Sequence, residues 1–512
     1  MSMNRKILPL AELAAKLEVL RAQKKTIVLC HGVFDLLHPG HIRHLQEAKN
    51  LGDCLVVTLT RDAFVNKGPG RPAFTHSLRA ESLAALGAVD FVAVNDHPTA
   101  VEAIRLLRPN IYVKGEDYED RSGDITRGIY AEEDAVKEVG GQIHFTHDIT
   151  FSSTSILNSY FGVYPERARL FLSDLKGRIP ADTFIEKLSG LQDLKVCLIG
   201  DTIVDEYHYC QPLGKSPKET IVATRYLNEE AFPGGILACA NHVAAFSNEV
   251  SLVSCLGLKN TQQELIESQL HTKIKPKFFF RKDACTVVKR RYVEPAFLTK
   301  MFQISFLTDT DLSPPISHDV CRYLKEALPQ FDLVIVADYG HGFLNKEIRD
   351  VICKYSPFLA LNVQTNSANL GYNLVTKYPR ADYICIDEPE VRLAMQSKYE
   401  PIEEIITEFS ERYPGCMITI TRGHHGSITA APKEKGELQF FEVPSVSNKI
   451  VDRVGAGDAY FAVTAMLAAR KAEPEILGLI GNAAGAMAVE VVCNRSSMQS
   501  VGLSKFIRAL LS

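Results

Sequence analysis

Short apolar runs alternate with helical patterns along the first part of the chain. Residues 10–23 place apolar side chains at helical spacing and predict an amphipathic helix. The runs that follow are, in order, TIVLC, a helix over 41–50, DCLVVTLT, a helix over 77–86, DFVAV, a helix over 99–107 and NIYVKG. Strands separated by helices of this length imply right-handed crossovers, and therefore a parallel sheet with helices on both faces.

A second alternation of the same kind begins at Lys195. Its strand-like runs are KVCLIGD, SLVSCLG, DLVIVADYG, FLALNV, YICID and MITITRG, and a helical, Ala/Gly-rich stretch follows them. The charged segment between the two alternations favours a helical linker. We therefore predict an α/β protein with a first domain over residues 1–165, a linker over 166–191 and a second domain over 192–512.

Composition narrows the class of protein. The chain has 512 residues, 46% apolar and 23% charged, which suits two globular domains. Lys and Arg number 57 against 61 Asp and Glu, and this balance argues against a nucleic-acid or membrane-surface partner. The 12 cysteines include no CxxC pair, which favours reduced thiols. With no signal-peptide pattern and no apolar run long enough to span a membrane, we expect a cytoplasmic protein.

The first candidate site is the tetrapeptide His38-Pro39-Gly40-His41, which follows a predicted strand and opens a helix. A helix N-terminus presents unpaired N–H groups and the positive end of the helix dipole, so it suits phosphate. Two imidazoles at i and i+3 would stabilise charge that develops as pyrophosphate leaves. Two surface histidines near a helix start are the alternative from the residues alone.

Residues 32–57, GVFDLLHPGHIRHLQEAKNLGDCLVV, resemble the signature of the cytidylyltransferase-like family, and VKGEDY (113–118) and SSTSI (152–156) resemble its later nucleotide-contacting motifs. Alone, the Ser/Thr run would be a helix cap. The resemblance implies a Rossmann-like nucleotidyltransferase in which His38, His41 and Lys114 are catalytic. In the substrate loop, Lys67 and Arg71 are either phosphate ligands or solvated charges. The nucleotide-binding residues that the resemblance implies are Gly32, Phe34, His38, Gly40, His41, Lys114, Gly115, Asp117, Ser152, Ser153 and Thr154.

The second candidate site is the Gly455-Ala456-Gly457-Asp458 run before an apolar helix. Small residues at a helix start leave backbone N–H groups open to phosphate oxygens. An Asp at the end of such a loop can take the proton of a substrate hydroxyl. By itself, the same run is also an ordinary helix cap.

Three further motifs lie in the second half: LIGDTIVDEY (198–207), Gly234-Gly235 followed by Asn241, and TRGHHG (421–426). With GAGD, they resemble the motifs of the ribokinase family, and the resemblance covers about residues 192–510. The resemblance implies a ribokinase-like α/β domain with a small β lid, which moves a phosphoryl group from MgATP to a sugar hydroxyl with Asp458 as base. The implied sugar-binding residues are Asp201, Asp205, Gly234, Gly235, Asn241 and Asp458. The implied nucleotide-binding residues are Thr421, Arg422, Gly423, Gly426, Gly455, Ala456, Gly457 and Asn482.

Two departures from that family concern the cofactor. Its N-x-x-E motif appears here as Asp387-Glu388-Pro389-Glu390, so we expect Asp387 and Glu390 to organise Mg²⁺. Arg453 stands where the family has Thr. The extra carboxylate could strengthen Mg²⁺ binding and the extra Arg could meet a phosphate, or both could mark a different substrate choice.

Over its whole length the chain resembles the bifunctional heptose-phosphate kinase/heptose 1-phosphate nucleotidyltransferase family, with the domain order reversed. The run LNVQTNSANLGYN (361–373) departs from it, and its amides could shape a different pocket. The resemblance implies nucleotide-sugar synthesis for surface polysaccharide, and the partners are ATP, a second nucleoside triphosphate (ATP or CTP) and a sugar or sugar phosphate. We also expect a homo-oligomer. The open alternatives are a polyol-phosphate cytidylyltransferase fused to its supplying kinase, and a nucleotide sensor with one inactive domain.

Overall fold

The computed structural model describes residues 6–65, 71–115, 128–146, 164–433, 437–447 and 449–512. The chain divides into two compact units, which are described separately. The first contains Met1–Glu166 together with Ser504–Ser512, and the second contains Arg167–Leu503. Within the described residues, no helix has the length and apolar character needed to cross a membrane.

The first unit alternates strands and helices as the sequence predicts. Its elements, in chain order, are α1 (Leu10–Ala22), β1 (Ile27–Gly32), α2 (Pro39–Asn50), β2 (Cys54–Thr60), α3 (His76–Ala84), β3 (Phe91–Asn95), α4 (Val101–Leu107), β4 (Ile111–Gly115), α5 (Gly128–Glu138) and β5 (Gln142–Thr146).

These five strands form one sheet in the order β3-β2-β1-β4-β5, and every neighbouring pair is parallel. Alternate residues of β1 enter different cores, because successive side chains of a strand point to opposite faces. Val28 and Cys30 pack with Leu45 of α2, whereas Ile27 and Leu29 lie in the cluster that contains α1 residues. The predicted Rossmann-like sheet, covered on both faces, is therefore present.

The second unit is larger and has two sheets. Its helices are α6 (Glu166–Arg178), α7 (Ala181–Ser189), α8 (Ile236–Ala244), α9 (Gln263–Gln269), α10 (Pro314–Ala327), α11 (Lys346–Tyr355), α12 (Glu388–Ala394), α13 (Ile402–Ser410), α14 (Ala456–Ala469) and α15 (Pro474–Ala488). The last helix of the chain is α16 (Ser500–Leu510), and its residues from Ser504 onward are assigned to the first unit. Its strands are β6 (Lys195–Gly200), β7 (Thr202–Lys215), β8 (Val222–Gly235), β9 (Glu249–Lys259), β10 (Ile274–Cys285), β11 (Val287–Glu294), β12 (Thr299–Phe306), β13 (Leu333–Asp338), β14 (Leu359–Val363), β15 (Tyr383–Asp387), β16 (Met417–Thr421), β17 (Ser427–Pro432) and β18 (Leu438–Val443).

The main sheet has nine strands in the order β10-β9-β6-β13-β14-β15-β16-β17-β18. It is parallel from β10 to β16, and β17 and β18 are added antiparallel at one edge. Strand β13 is buried along its whole length, which explains its near-continuous apolar sequence. The carboxyl ends of the parallel strands lie at one edge of this sheet, where ligands bind in open α/β folds.

The second sheet contains four strands in the order β12-β11-β7-β8 and corresponds to the expected small β lid. Strand β7 begins two residues after β6 ends, so the chain passes directly from the main sheet into the small one. Periodicity did not reveal these strands, because much of β8 and β12 is exposed and lacks a buried face.

The segment predicted as a linker forms helices α6 and α7, which belong almost entirely to the second unit. Arg178 of α6 pairs with Glu475 at 2.6 Å, and Lys187 of α7 pairs with Glu473 at 2.8 Å. Exposed pairs of this kind contribute little to stability. They nevertheless connect α6 and α7 to residues at the start of α15 within the second unit.

Candidate functional sites

The HPGH motif opens helix α2 in the first unit. His38 is the N-cap residue with extended backbone, and Pro39 occupies the first helical position. The ring centroids of His38 and His41 lie 3.9 Å apart with a 30° tilt. The two imidazoles predicted as catalytic are therefore neighbours at a helix N-terminus, where the backbone favours an anion. Gly40 is the second residue of the same helix.

The loop before α2 is shaped by an aromatic side chain. Phe34 has a positive φ of 49°, and its ring meets the His41 ring edge-on at 5.3 Å between centroids. A Cβ at Gly32 would come within 3.1 Å of the Phe34 ring. Gly32 thus leaves space for Phe34, and Phe34 packs against one of the two imidazoles that were predicted to be catalytic.

Lys114 lies at the end of β4, one residue before Gly115, and is nearly buried. Its Nζ forms an ion pair with Glu132 Oε2 at 2.7 Å, and Tyr112 donates its hydroxyl to the same oxygen at 3.0 Å. The sequence did not indicate Glu132, which comes from α5. A bound triphosphate would compete with this carboxylate for the Lys114 ammonium group.

Two further histidines, which the sequence analysis did not select, lie in the field of Lys114. His31 Nδ1 is 2.9 Å from Thr58 Oγ1, and His44 Nδ1 is 2.8 Å from Thr146 Oγ1. Burial, assisted by the charge of Lys114, lowers the pKa of His31 to about 3 and that of His44 to about 4. Both rings are therefore neutral near pH 7. The spacing of His44, three residues after His41 on one helix, was the available signal.

Several predicted residues of this site lie outside the described residues, namely Lys67, Asp117, Ser152, Ser153 and Thr154. Arg71 is described and forms an ion pair with Asp35 at 3.6 Å, with both side chains almost wholly buried. An arginine in that position is committed to the protein rather than solvated.

The GAGD run opens α14 in the second unit. Gly455 is the N-cap with a φ of +88°, and a Cβ there would approach Asn494 Oδ1 to 2.1 Å. Both facts require glycine at this position. Ala456, Gly457 and Asp458 form the first turn of the helix, where backbone N–H groups lack intrahelical acceptors.

Strand pairing in the small sheet brings together three of the predicted sugar-binding residues. Gly234 of β8 pairs with Ile203 of β7, two residues before Asp205. A Cβ on Gly234 would come within 2.1 Å of Asp205 Oδ2, so the glycine makes room for that carboxylate. Gly235 has a φ of +55° and turns the chain into α8. Arg291 of β11 forms an ion pair with Asp205.

Asp201 lies at the junction of the two sheets and holds the loop after β13. Its Oδ2 accepts hydrogen bonds from the backbone N–H of Tyr339 at 2.9 Å and of His341 at 3.3 Å. Burial and the nearby charge of Asp338 raise the pKa of Asp201. Tyr339 also donates its hydroxyl to Asp458 Oδ1 at 2.6 Å. The sequence analysis did not select Tyr339, although it connects two of the predicted carboxylates.

Asp458 itself is half-buried and lies near other charged groups. Burial raises the pKa of Asp458 to about 6, and the charge of Asp205 acts in the same direction. The hydrogen bond from Tyr339 and the charge of Lys289 oppose that shift. A carboxyl group with this pKa is ionised at pH 7 and remains basic enough to accept a proton.

Two predicted binding amides are engaged by the protein. Asn241 donates to the Gln269 carbonyl at 3.0 Å and accepts from the His271 N–H at 2.9 Å. Asn482 donates to Ser427 Oγ at 3.0 Å. In this structure both side chains secure neighbouring elements.

The predicted nucleotide turn follows β16. Arg422 donates to Glu388 Oε2 at 2.9 Å, and its backbone N–H bonds the Gly426 carbonyl at 2.8 Å. Gly423 and Gly426 both have positive φ, at 54° and 90°. A cavity of about 680 Å³ lies beside this turn, with Asp387, Arg422 and Gly423 in its lining, and its size is typical of small-molecule sites.

Asp387 and Glu390 form a reciprocal capping box at the start of α12. Glu390 Oε2 accepts from the Asp387 N–H at 2.8 Å, and its Oε1 accepts from the Thr365 N–H at 3.1 Å. Thr421 donates its hydroxyl to Asp387 Oδ1 at 3.2 Å. Across the described part of the chain, no group of three or more His, Cys, Asp or Glu side chains could hold a metal ion. Two carboxylates suit Mg²⁺ that is held mainly by water and substrate phosphates.

Two family models match this chain. The cytidylyltransferase-like family matches residues 29–158, which contain the HPGH helix start and Lys114. The pfkB family of carbohydrate kinases matches residues 193–500, more than half of the chain. The chain belongs to the pfkB family. A cytidylyltransferase-like domain thus precedes a pfkB carbohydrate kinase domain.

Curated relatives match the N-terminal part of the chain. The Bifunctional protein HldE of Syntrophotalea carbinolica is 43% identical over 141 residues, which is 27% of this chain and 27% of that protein. The Bifunctional protein HldE of Helicobacter pylori is 43% identical over 137 residues, 26% of this chain and 28% of that protein. The match thus spans about a quarter of the length of each relative.

Two solved structures are similar to part of this chain. Phosphofructokinase-2 from Escherichia coli shares 14% identity with a TM-score of 0.49, covering 62% of this chain and 99% of that chain. Ribokinase from Thermotoga maritima shares 17% identity with a TM-score of 0.46, covering 62% and 99%.

Proposed function

We propose that this protein is a bifunctional enzyme that phosphorylates a sugar with ATP and then couples the sugar 1-phosphate to a nucleoside triphosphate. The observation that carries the proposal is the placement of Asp458. Its half-buried carboxylate stands in the first turn of α14, directly after the Gly455 turn and within the electrostatic influence of Asp205. A proton acceptor and a set of free backbone N–H groups are therefore adjacent.

At the pfkB site, a sugar hydroxyl gives its proton to Asp458 as its oxygen attacks the γ-phosphorus of ATP, and ADP leaves. The backbone N–H groups of Gly455, Ala456 and Gly457 stabilise the charge on the transferred phosphoryl oxygens. Asp201 and Asp205 accept hydrogen bonds from the other sugar hydroxyls. The turn from Thr421 to Gly426, with Asn482, holds the nucleotide.

At the cytidylyltransferase-like site, an oxygen of the sugar phosphate attacks the α-phosphorus of the nucleoside triphosphate, and pyrophosphate leaves. The nucleophile is already an anion, so no protein base is needed. His38, His41 and the α2 N-terminus stabilise the developing charge, and Lys114 exchanges Glu132 for a phosphate oxygen.

Mg²⁺ neutralises phosphate charge in both reactions when it is bound. Asp387 and Glu390 would hold it at the kinase site, by way of water and the ATP phosphates. Glu390→Gln should therefore raise the Mg²⁺ concentration needed for kinase turnover. Glu404→Gln, at an exposed position of α13, is the matched control, and an unchanged Mg²⁺ titration for Glu390→Gln would remove this role.

The sugar of choice is a heptose phosphate, which the resemblance of the sequence motifs to those of the heptose-phosphate enzymes supports. The product would then be a nucleotide sugar for surface-polysaccharide synthesis, made in the cytoplasm. ATP is the first candidate for the second nucleotide. The match of residues 29–158 to the cytidylyltransferase-like family supports CTP, with a polyol phosphate, as the second candidate.

The full-length chain tests the proposal. It is incubated with Mg²⁺ and a panel of sugars and sugar phosphates, with ATP alone or with ATP and CTP, and product masses are read. We expect a phosphorylated sugar, then a nucleotide sugar with release of pyrophosphate. Tight nucleotide binding without either product would instead support the sensor alternative.

A homo-oligomer through the small sheet is also proposed. Apolar side chains of its strands are exposed, and large exposed apolar patches mark interaction surfaces. Those with the clearest exposure are Leu213, Val222, Tyr226 and Phe302. Phe302→Ser should lower the sedimentation coefficient, whereas Leu170→Ser, an exposed leucine of α6, should not.

A further inference from the structure

Tyr339 joins the two ends of the kinase site. Its backbone N–H donates to Asp201 Oδ2 at 2.9 Å, and its hydroxyl donates to Asp458 Oδ1 at 2.6 Å. Tyr339 is 3% exposed, and its bond to Asp201 is buried, whereas its bond to Asp458 is part-buried. Among the described residues no other side-chain donor to the Asp458 carboxylate is present. One residue therefore fixes the position of the proposed base relative to a proposed sugar ligand.

The loop that carries Tyr339 is held by the amide side chains of residues 361–373. Asn366 and Asn369 both donate to the Tyr339 carbonyl, at 2.8 and 3.2 Å. Asn373 donates to the Asp338 carbonyl at 3.0 Å. Gly340 has a φ of +72°, and a Cβ there would meet Asn369 and Asn373 at 2.8 Å. These amides bind backbone oxygens of the loop and so set the direction of the tyrosine.

We propose that Tyr339 is a positioning residue for phosphoryl transfer: its hydroxyl holds Asp458 by Oδ1, keeps that carboxylate ionised and leaves Oδ2 to accept the proton of the sugar hydroxyl. This inference rests on the proposed kinase function. A donor to a carboxylate stabilises the charged form, and one fixed oxygen restricts rotation of the group.

The groups that interact electrostatically with Asp458 come from several elements. They are Tyr339 after β13, Asp205 on β7, Lys289 on β11, Cys239 on α8 and Glu390 on α12. Burial and the neighbouring carboxylate charge raise the pKa of Tyr339 well above its usual value, so its phenol remains a donor throughout the working pH range. Lys289 supplies the positive charge in this set, at 5.8 Å from the centre of the Tyr339 ring.

The test is Tyr339→Phe in the full-length chain, with kinase kcat/KM measured from pH 5 to 9. Loss of the donor destabilises the ionised form of Asp458, so the acid limb of the profile should move up by about one pH unit. At pH 7, kcat should fall by more than the roughly twofold loss that the smaller ionised fraction explains, because the carboxylate is also no longer held in place, while the KM for ATP stays unchanged.

Tyr378→Phe is the matched control. Tyr378 is also a buried tyrosine whose hydroxyl bonds a buried carboxylate, Asp338 Oδ2, at 2.7 Å, but it does not touch Asp458. Its removal should leave the acid limb in place. If both variants shift the profile equally, Tyr339 has only a structural role and the proposal is wrong.

A second variant covers the case in which Tyr339→Phe does not fold. Replacement of Tyr339 by 3-fluorotyrosine keeps the ring and makes the phenol a stronger donor, so the acid limb should move down. An unmoved limb in a folded, active enzyme overturns the proposal for Tyr339. Absence of sugar phosphorylation by the unmodified protein would instead overturn the kinase function, so the two failures are distinguishable.

Discussion

The two candidate sites use opposite side-chain chemistry on similar scaffolds. Each stands at the N-terminus of a helix that follows a strand, α2 in the first unit and α14 in the second. The first site is built from imidazoles and the Lys114 ammonium group, whereas the second contains the carboxylates Asp201, Asp205 and Asp458. In the proposed mechanism the helix terminus binds an anion in both cases, and the side chains set the rest of the chemistry at each site.

The difference follows from the proposed nucleophiles. A sugar phosphate is already an anion, so the first site needs only cationic and neutral donors to stabilise added charge. A sugar hydroxyl must lose a proton, so the second site needs a base. Its carboxylates lie close enough to one another that the charge of Asp205 raises the pKa of Asp458. Residue changes that affect one reaction and spare the other are therefore the sharpest tests of this comparison.

Asp458→Asn should have the largest effect. The amide keeps the shape of the side chain but cannot accept the hydroxyl proton, so kinase kcat should fall by ~10²–10⁴. The variant should still convert supplied sugar 1-phosphate to nucleotide sugar at a near-normal rate, and should make none from the starting sugar. Nucleotide sugar formed from that starting sugar would show that the two steps are not in series. Asp193→Asn, at an exposed position, is the control.

His41→Ala should affect the other site. Removal of one group that stabilises the transition state typically costs ~10²–10³ in rate, so pyrophosphate release should fall by that factor. Kinase activity, measured in the same preparation, should not change. His97→Ala removes an exposed histidine of the same unit and should have no effect. Near-normal nucleotidyl transfer by His41→Ala would make HPGH a surface feature.

Gly234→Ala should act on the kinase through packing. Its methyl group would stand 2.1 Å from Asp205 Oδ2, and overpacking of this kind costs ~1–3 kcal/mol. Displacement of that carboxylate should raise the KM for the sugar more than it lowers kcat. Gly177→Ala, in α6 with no atom near the new methyl, should leave KM unchanged. Equal KM values for both variants would show that Asp205 does not contribute to sugar binding.

The two reactions should also depend differently on pH, and this is the smallest of the expected effects. Asp458 acts as a base only when ionised, and its pKa is about 6, so kinase kcat/KM should fall about tenfold per pH unit below pH 6. His31 and His44 have pKa values of about 3 and 4 and stay neutral over that range. They should add no limb to nucleotidyl transfer between pH 5 and 8, and a limb removed by His44→Gln would contradict this.

Much of the fold was predictable from sequence because it depends on local patterns. Strands such as β2 and β13 are continuous apolar runs, and the helices between them show helical spacing. The HPGH and GAGD helix starts were predictable for the same reason. Pro39 is the first residue of α2, and Gly455 is the N-cap of α14.

Contacts between residues that are far apart in the sequence could not be predicted and are seen only in the tertiary structure. Hydrophobic periodicity did not predict the strands of the small sheet. Residues such as Val222 and Phe302 are exposed, so no buried face imposes alternation on these strands. The contact between Tyr339 and Asp458 joins residues 119 positions apart, and the Lys114–Glu132 pair joins a strand to a helix. The two domain classes and the two helix starts could be predicted from the sequence alone, since caps and periodicity are local properties. The partners of Asp458, Lys114 and Asp205 depend on strand order and crossovers, which bring together side chains that no local pattern relates.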